Sequence, residues 1–380
     1  MTVAIGIGVF ERERKQLAED KSPLNLSEKV YIAVEGDSKV IIIDSAQKKV
    51  VKKIDLSTEH RMEDGHNATT MYAPHNVQVA PNGKSVWVTA NMERHIDHSS
   101  LILNVYAHSE TGTMENAMNI KDEVIVIDPL TDKIIIKIPL GIGDHLAHVV
   151  ISPDSKYAYV TAQKSGVIYK INTLNFNVEN KIILSNDSEP HGLRISSDGK
   201  TGFVALMKGR ALGILDLIEN KITLIPLNGQ AVQTGITPNG DTAVVSVYDA
   251  KILAVYDTLN KSLQYIELPE NSRGPIQMYP TPDSRYMYLA DQGYYFGQPS
   301  SQLVYKIDLK ENKIVKEIKA GFAPHGVVVS KDGKFVYVTN LLSGDVSIID
   351  VLTDTEITRI PVGKEPNGIS IWNKYSGGTP

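Results

Sequence analysis

Residues 330–350 read SKDGKFVYVTNLLSGDVSIID. Asp332-Gly333 is a tight-turn signal, because both residues tolerate the positive φ of a primed hairpin turn. The run after it, FVYVTN (335–340), alternates and is rich in Val, Tyr and Thr, as strands prefer. VSIID (346–350) is a further strand that closes on an acidic residue. The stretch therefore predicts a hairpin followed by another antiparallel strand.

Both halves of this pattern recur. The turn-and-strand half appears as APNGKSVWVTA (80–90), SPDSKYAYVTA (152–162), SSDGKTGFVAL (196–206), TPNGDTAVVSV (237–247), TPDSRYMYLAD (281–291) and SKDGKFVYVTN (330–340). The second half ends at Asp44, Asp128, Asn172, Asp216, Asp257, Asp308 and Asp350, so there are seven copies. Their spacing is 41 to 51 residues, except for the first gap of 84, which holds one unit plus a large insertion. Units of about 40–45 residues with four strands, a to d, are propeller blades. The missing seventh inner strand is PNGISIW (366–372), while the chain enters at VYIAV (30–34). The first blade is thus expected to be closed by the C-terminal strand, which removes free sheet edges. The expected fold is all-β, a seven-bladed β-propeller of four-stranded antiparallel blades over residues 28–373.

YVTA (159–162), YVTN (337–340), the SPD and KDG turns and the VxxID strands resemble the YVTN-repeat propellers over nearly the whole chain. The resemblance implies the fold and little about activity, because the fold hosts unrelated chemistries. The wider superfamily includes the copper-cluster propeller of nitrous-oxide reductase, the haem d1 domain of cytochrome cd1 and bacterial surface proteins. The sequence departs from both enzymes. It has 380 residues and no cysteine. Thiolate metal sites, a thiolate-bridged dicopper domain, CxxCH haem attachment and cysteine nucleophiles are therefore excluded. With 42% hydrophobic residues a packed core is available, and a net charge of −5 leaves no basic footprint for nucleic acid.

Outside the propeller, residues 1–27 form an N-terminal extension. Its apolar TVAIGIGVF (2–10), followed by ERERK (11–15), is expected to be the remnant of a trimmed signal or anchor. That expectation and the missing cysteines point to an extracytoplasmic protein, periplasmic or at the cell surface, with membrane contact only through such an anchor. Residues 374–380 are a short tail. Residues 91–121 form a lid-like insertion in blade two that carries Met92, His95, His98, His108, Met114 and Met118.

Strand alternation places the d–a and b–c connections on one face of a propeller and the a–b and c–d turns on the other. All ten histidines fall in segments assigned to the first face. Aligned on the hairpin turn, the inner strands open with His75, His148, His191, Gln233, Gln277, His325 and Asn367. His148 is offset by one position, and His145 is the alternative in that blade. Imidazoles converging at the mouth of the central channel suit a metal site. The expected ligands are His75, His145, His148, His191 and His325, with His95, His98 and His108 secondary. Gln233, Gln277, Asn367 and Tyr294 are the expected cofactor-facing groups. Copper is the favoured ion, with zinc or haem d1 as alternatives. Lys164, Lys208, Arg194 and Arg273 are expected near the same face, as surface residues by default and as candidate anion contacts otherwise. A Pro-His-Gly corner is also compatible with plain structural hydrogen bonding.

Three functions stay open at this level: a metal-binding, redox-capable propeller acting on a small molecule or with a redox partner; a non-catalytic interaction module for a surface protein or glycan; and a metal-assisted lactonase or lyase. If the protein is an enzyme, a metal-dependent oxidoreductase is favoured over a hydrolase.

Overall fold

The computed structural model describes residues 28–61, 67–97, 120–185, 187–373 and 377–378, with side chains omitted at 60, 94–97 and 377–378. Seven antiparallel sheets follow one another around a central axis. Blades three to seven each have four strands; in blade three these are Leu146–Ile151, Tyr157–Ala162, Val167–Asn172 and Val178–Ile183. Blade one consists of Lys29–Val34, Lys39–Asp44 and Lys49–Asp55, and Pro366–Asn373 pairs with Lys29–Val34 to supply its inner strand. The seven inner strands touch their neighbours in a closed ring. Gly377–Gly378 adds a short fifth strand beside Trp372 and Asn373.

Blade two departs from the pattern. Its inner pair, Asn67–Val79 and Val86–Asp97, runs far beyond the blade, and Thr58–Arg61 pairs along the protruding part. The first residues of the 91–121 insertion are thus strand, not loop. His95 lies on this arm opposite Thr70. His98, His108, most of the insertion and residues 1–27 lie outside the described residues.

The repeated polar residues explain why the units fold. The carboxylate that ends the third strand accepts backbone N–H groups two and three residues on: Asp216 from Ile218 and Glu219, Asp257 from Leu259 and Asn260, Asp350 from Leu352 and Thr353. Asn172 does the same for Leu174 and Asn175. These side chains mimic a backbone turn and tie the outer hairpin. The YVT threonine acts on the inner side. Thr161 Oγ1 accepts the His148 N–H (2.9 Å) and donates to the His191 carbonyl of the next blade (2.7 Å). Thr339 does so for Gly326 and Asn367, both at 2.7 Å. Thr89 links Asn76 and Ala147, and Ser246 links Gln233 and Ile276. One motif residue therefore positions two inner-strand mouths at once.

Candidate functional site

The inner strands begin at sharp corners. His145, Glu189, Ala323 and Glu365 take φ of 53°, 48°, 54° and 54°, in the left-handed region. Side chains rarely adopt it without compensation. Asp122 contributes such compensation at His145, accepting its N–H at 2.9 Å. In three of these four blades a proline follows, and then His191, His325 or Asn367. The corner turns these side chains under the loops of the same face.

Five of the expected ligands come together. Ring centres lie 5.7 Å (His145), 6.3 Å (His148), 5.6 Å (His191) and 6.3 Å (His325) from His75, and His148 and His191 stand 5.3 Å apart. His75, His148, His191 and His325 are all buried. Two imidazoles on one tetrahedral ion would have ring centres about 5 Å apart, given metal–nitrogen bonds of about 2.0–2.1 Å. As the side chains stand, no group of three His, Asp or Glu among the described residues is arranged to hold a metal ion. Contraction and turning of the rings separate this arrangement from a coordination shell.

Four of the rings are held by one nitrogen each. His75 Nδ1 donates to Glu35 Oε1 at 2.6 Å. His191 Nδ1 donates to the Val232 carbonyl at 2.9 Å. Gln292 Nε2 lies 2.7 Å from His325 Nδ1. That leaves the Nε2 atoms of His75 and His325 buried without a partner. His148 is oriented the other way, with Gln233 Nε2 donating to its Nε2 at 3.3 Å and Nδ1 left unpartnered. Buried polar atoms without partners are uncommon and call for an explanation.

The electrostatics keep three of the rings neutral. Burial, reinforced by neighbouring imidazoles, lowers His191 and His325 to about 3. Burial, His191 and Arg194 hold His148 well below its ordinary value. Neutral imidazole is the form that ligates metals. Glu35 is pushed up by burial, but His75, Tyr295 and Asn367 outweigh this and bring it to about 2. Tyr295 donates its hydroxyl to Glu35 Oε2 at 2.8 Å, receives Asn367 Nδ2 at 3.2 Å, and sets its ring edge-on to His325 at 5.4 Å. Burial and the Glu35 charge raise the Tyr295 phenol well above 10.

The other expected residues are placed as follows. Gln233 and Asn367 are buried within the cluster. Gln277 lies deeper in the channel, with Nε2 unpartnered. Tyr294 is exposed on a short 3-10 turn, and its neighbour Tyr295 makes the contact with the site. Arg194 does not sit at the His face; it lines the channel further along and opens towards the a–b turns. Sequence reasoning missed Glu35 and Gln292. Both lie in b–c connections, the class of loop that carries His95, His98 and His108, and a carboxylate or amide in such a loop is the signal for them.

Residues 113–375 match the family described as YNCE-like beta-propeller. No protein with a curated description matches the sequence. Among solved structures, hydrazine synthase of Kuenenia stuttgartiensis is similar at TM-score 0.60 and 17% identity, covering 80% of this chain and 93% of that one. A catalytically inactive variant of virginiamycin B lyase from Staphylococcus aureus, with quinupristin, is similar at TM-score 0.60 and 15% identity, covering 85% of this chain and 97% of that one. At such identities the likeness carries the fold alone. The family match spans more than half of the sequence, and the chain belongs to the YNCE-like β-propeller family.

Proposed function

We propose that the channel mouth is a transition-metal centre built on the Nε2 atoms of His75, His191 and His325, with His145 and His148 beside it. One observation carries the reading: Nδ1 is engaged by a second group in all three rings, and in His75 and His325 the Nε2 is buried without a partner, left for a ligand. Metal-binding histidines are oriented in this way, through carboxylate, carbonyl or amide partners. A half-turn of the Gln292 amide exchanges donor for acceptor and gives His325 Nε2 its lone pair, at the loss of the 3.3 Å bond from the Tyr295 N–H to Gln292 Oε1. Copper is the proposed ion, because the affinity of imidazole sites peaks at Cu(II) and no thiolate competes for the choice. Bound copper would supply one-electron chemistry towards a small molecule or a redox partner. The absence of cysteine supports an extracytoplasmic setting.

The test is copper loading of metal-free protein purified without a His-tag, followed by elemental analysis. One copper per chain is expected, lost in His191→Ala and His325→Ala while the folded state persists. Retention of copper in both variants, or none in the parent, would overturn the reading. Zinc or a haem-like absorption band in place of copper would keep the site and replace its occupant. A blank would favour a non-catalytic interaction platform.

A second reading rests on Glu35. Its carboxylate holds His75 Nδ1 and leaves Nε2 facing inward, the arrangement of a general base. A lyase or lactonase activity abolished by Glu35→Gln without any bound metal would favour it. The virginiamycin B lyase likeness belongs to this reading only as a shared fold.

A further inference from the structure

The other end of the channel holds a second candidate site. Here the a–b hairpin turns surround a cavity of about 400 Å³. Pro81, Pro153, Pro238 and Pro282, each the second residue of its turn, form an apolar rim. Arg194 and Tyr279 also line the narrow space deeper in the channel, so they mark the inner end of the cavity.

Arg194 stands out chemically. Its Nη1 donates to the neighbouring Leu193 carbonyl at 2.8 Å, and no carboxylate pairs with it among the described residues. Burial lowers the pKa of the guanidinium. The Tyr279 side chain offsets part of this, and the four further N–H donors are not sealed off from the cavity. The guanidinium fork matches a carboxylate in plane and spacing. The walls above it are largely apolar, so the matching ligand has an apolar body and one anionic end.

We propose that this cavity binds a small amphipathic carboxylate, its head group on Arg194 and its hydrocarbon body between the hairpin prolines. The site lies further along the channel than the histidine cluster, within reach for the guanidinium charge to act on His148.

Calorimetric titration of the full chain with octanoate, 1-octanol and octylammonium tests this. Octanoate is expected to bind one per chain. 1-Octanol should bind at least about tenfold more weakly, and octylammonium not measurably, because each lacks the charge that pairs with guanidinium. Arg194→Met should weaken octanoate at least about tenfold and leave 1-octanol unchanged. Since Arg194 is deep in the channel, Ser197→Trp provides an independent variant: Ser197 is an exposed turn residue on the rim, and the indole should block entry without touching the head-group contact. No saturable octanoate binding to the parent, equal affinity for octanoate and 1-octanol, or octanoate affinity unchanged in folded Arg194→Met or Ser197→Trp would each overturn the proposal.

Discussion

At the scale of single residues, three neutral imidazoles share one buried volume. His191 and His325 titrate at about 3 against an ordinary 6.5. As pH falls from 6.5 towards 3, the unfolded chain takes up protons that the native chain refuses, so stability falls with pH across that window. Glu35 adds to the loss only lower down, between its ordinary 4.5 and about 2. Between pH 6.5 and 4.5 the histidines alone should therefore account for this cluster's share. Thermal melts over that interval are expected to show a falling midpoint in the parent and a shallower fall in His191→Gln. A parallel slope in the two proteins would contradict the neutral-cluster assignment. The histidine ring set was legible in the sequence because the hairpin repeat fixes each inner strand's position. Its electrostatic partners were not. Glu35 and Tyr295 are 260 residues apart and meet only because blade one is closed from the far end of the chain. No local pattern records such a meeting.

At the scale of elements, the repeat's most conspicuous polar residue does more than turn a strand. Thr161 is buried and satisfies the His148 N–H and the His191 carbonyl together. Thr161→Val keeps the shape and removes both bonds, leaving a buried donor and acceptor unpaired. A loss of about 1–3 kcal/mol in unfolding free energy is expected, with Thr161→Ser recovering part of it. Denaturant melts measure it, and a loss below a few tenths would refute the stapling role. The same comparison shows where local reading stops. Strand order, hairpins and the Asp-capped turns follow from alternation and turn chemistry that each unit carries in itself. The protruding hairpin of blade two does not, because nothing in NMERHID announces a strand rather than a lid. Arg194 was misplaced for a related reason: the blade face is set by which end of the inner strand a residue occupies, and Arg194 is nearer the hairpin than His191.

Across the whole molecule, stability depends on closure. Trp372 is buried in the closing strand, packs with Tyr31, Tyr72 and Val79, and donates its indole N–H to the Gly83 carbonyl at 2.9 Å. It joins blade one to blade two at the seam where the two ends of the propeller meet. Trp372→Ala should cost about 3–5 kcal/mol and loosen the seam first, seen as faster amide exchange in Lys29–Val34 than in the strands of blade three. Uniform exchange across the blades would contradict this. The seam matters for the site as well, since Glu35 and Asn367 from blade one complete the surroundings of His75. Closing the ring therefore also assembles the cluster.

The proposed metal centre requires these imidazoles to share one ion. Pulsed electron paramagnetic resonance on the protein loaded with one equivalent of Cu(II) tests it most directly, because the remote nitrogens of bound imidazoles give a countable modulation. A single copper species with several equatorial imidazoles is expected in the parent, and no such species in His191→Ala. A spectrum of weakly held, oxygen-coordinated copper, unchanged by that substitution, would contradict it.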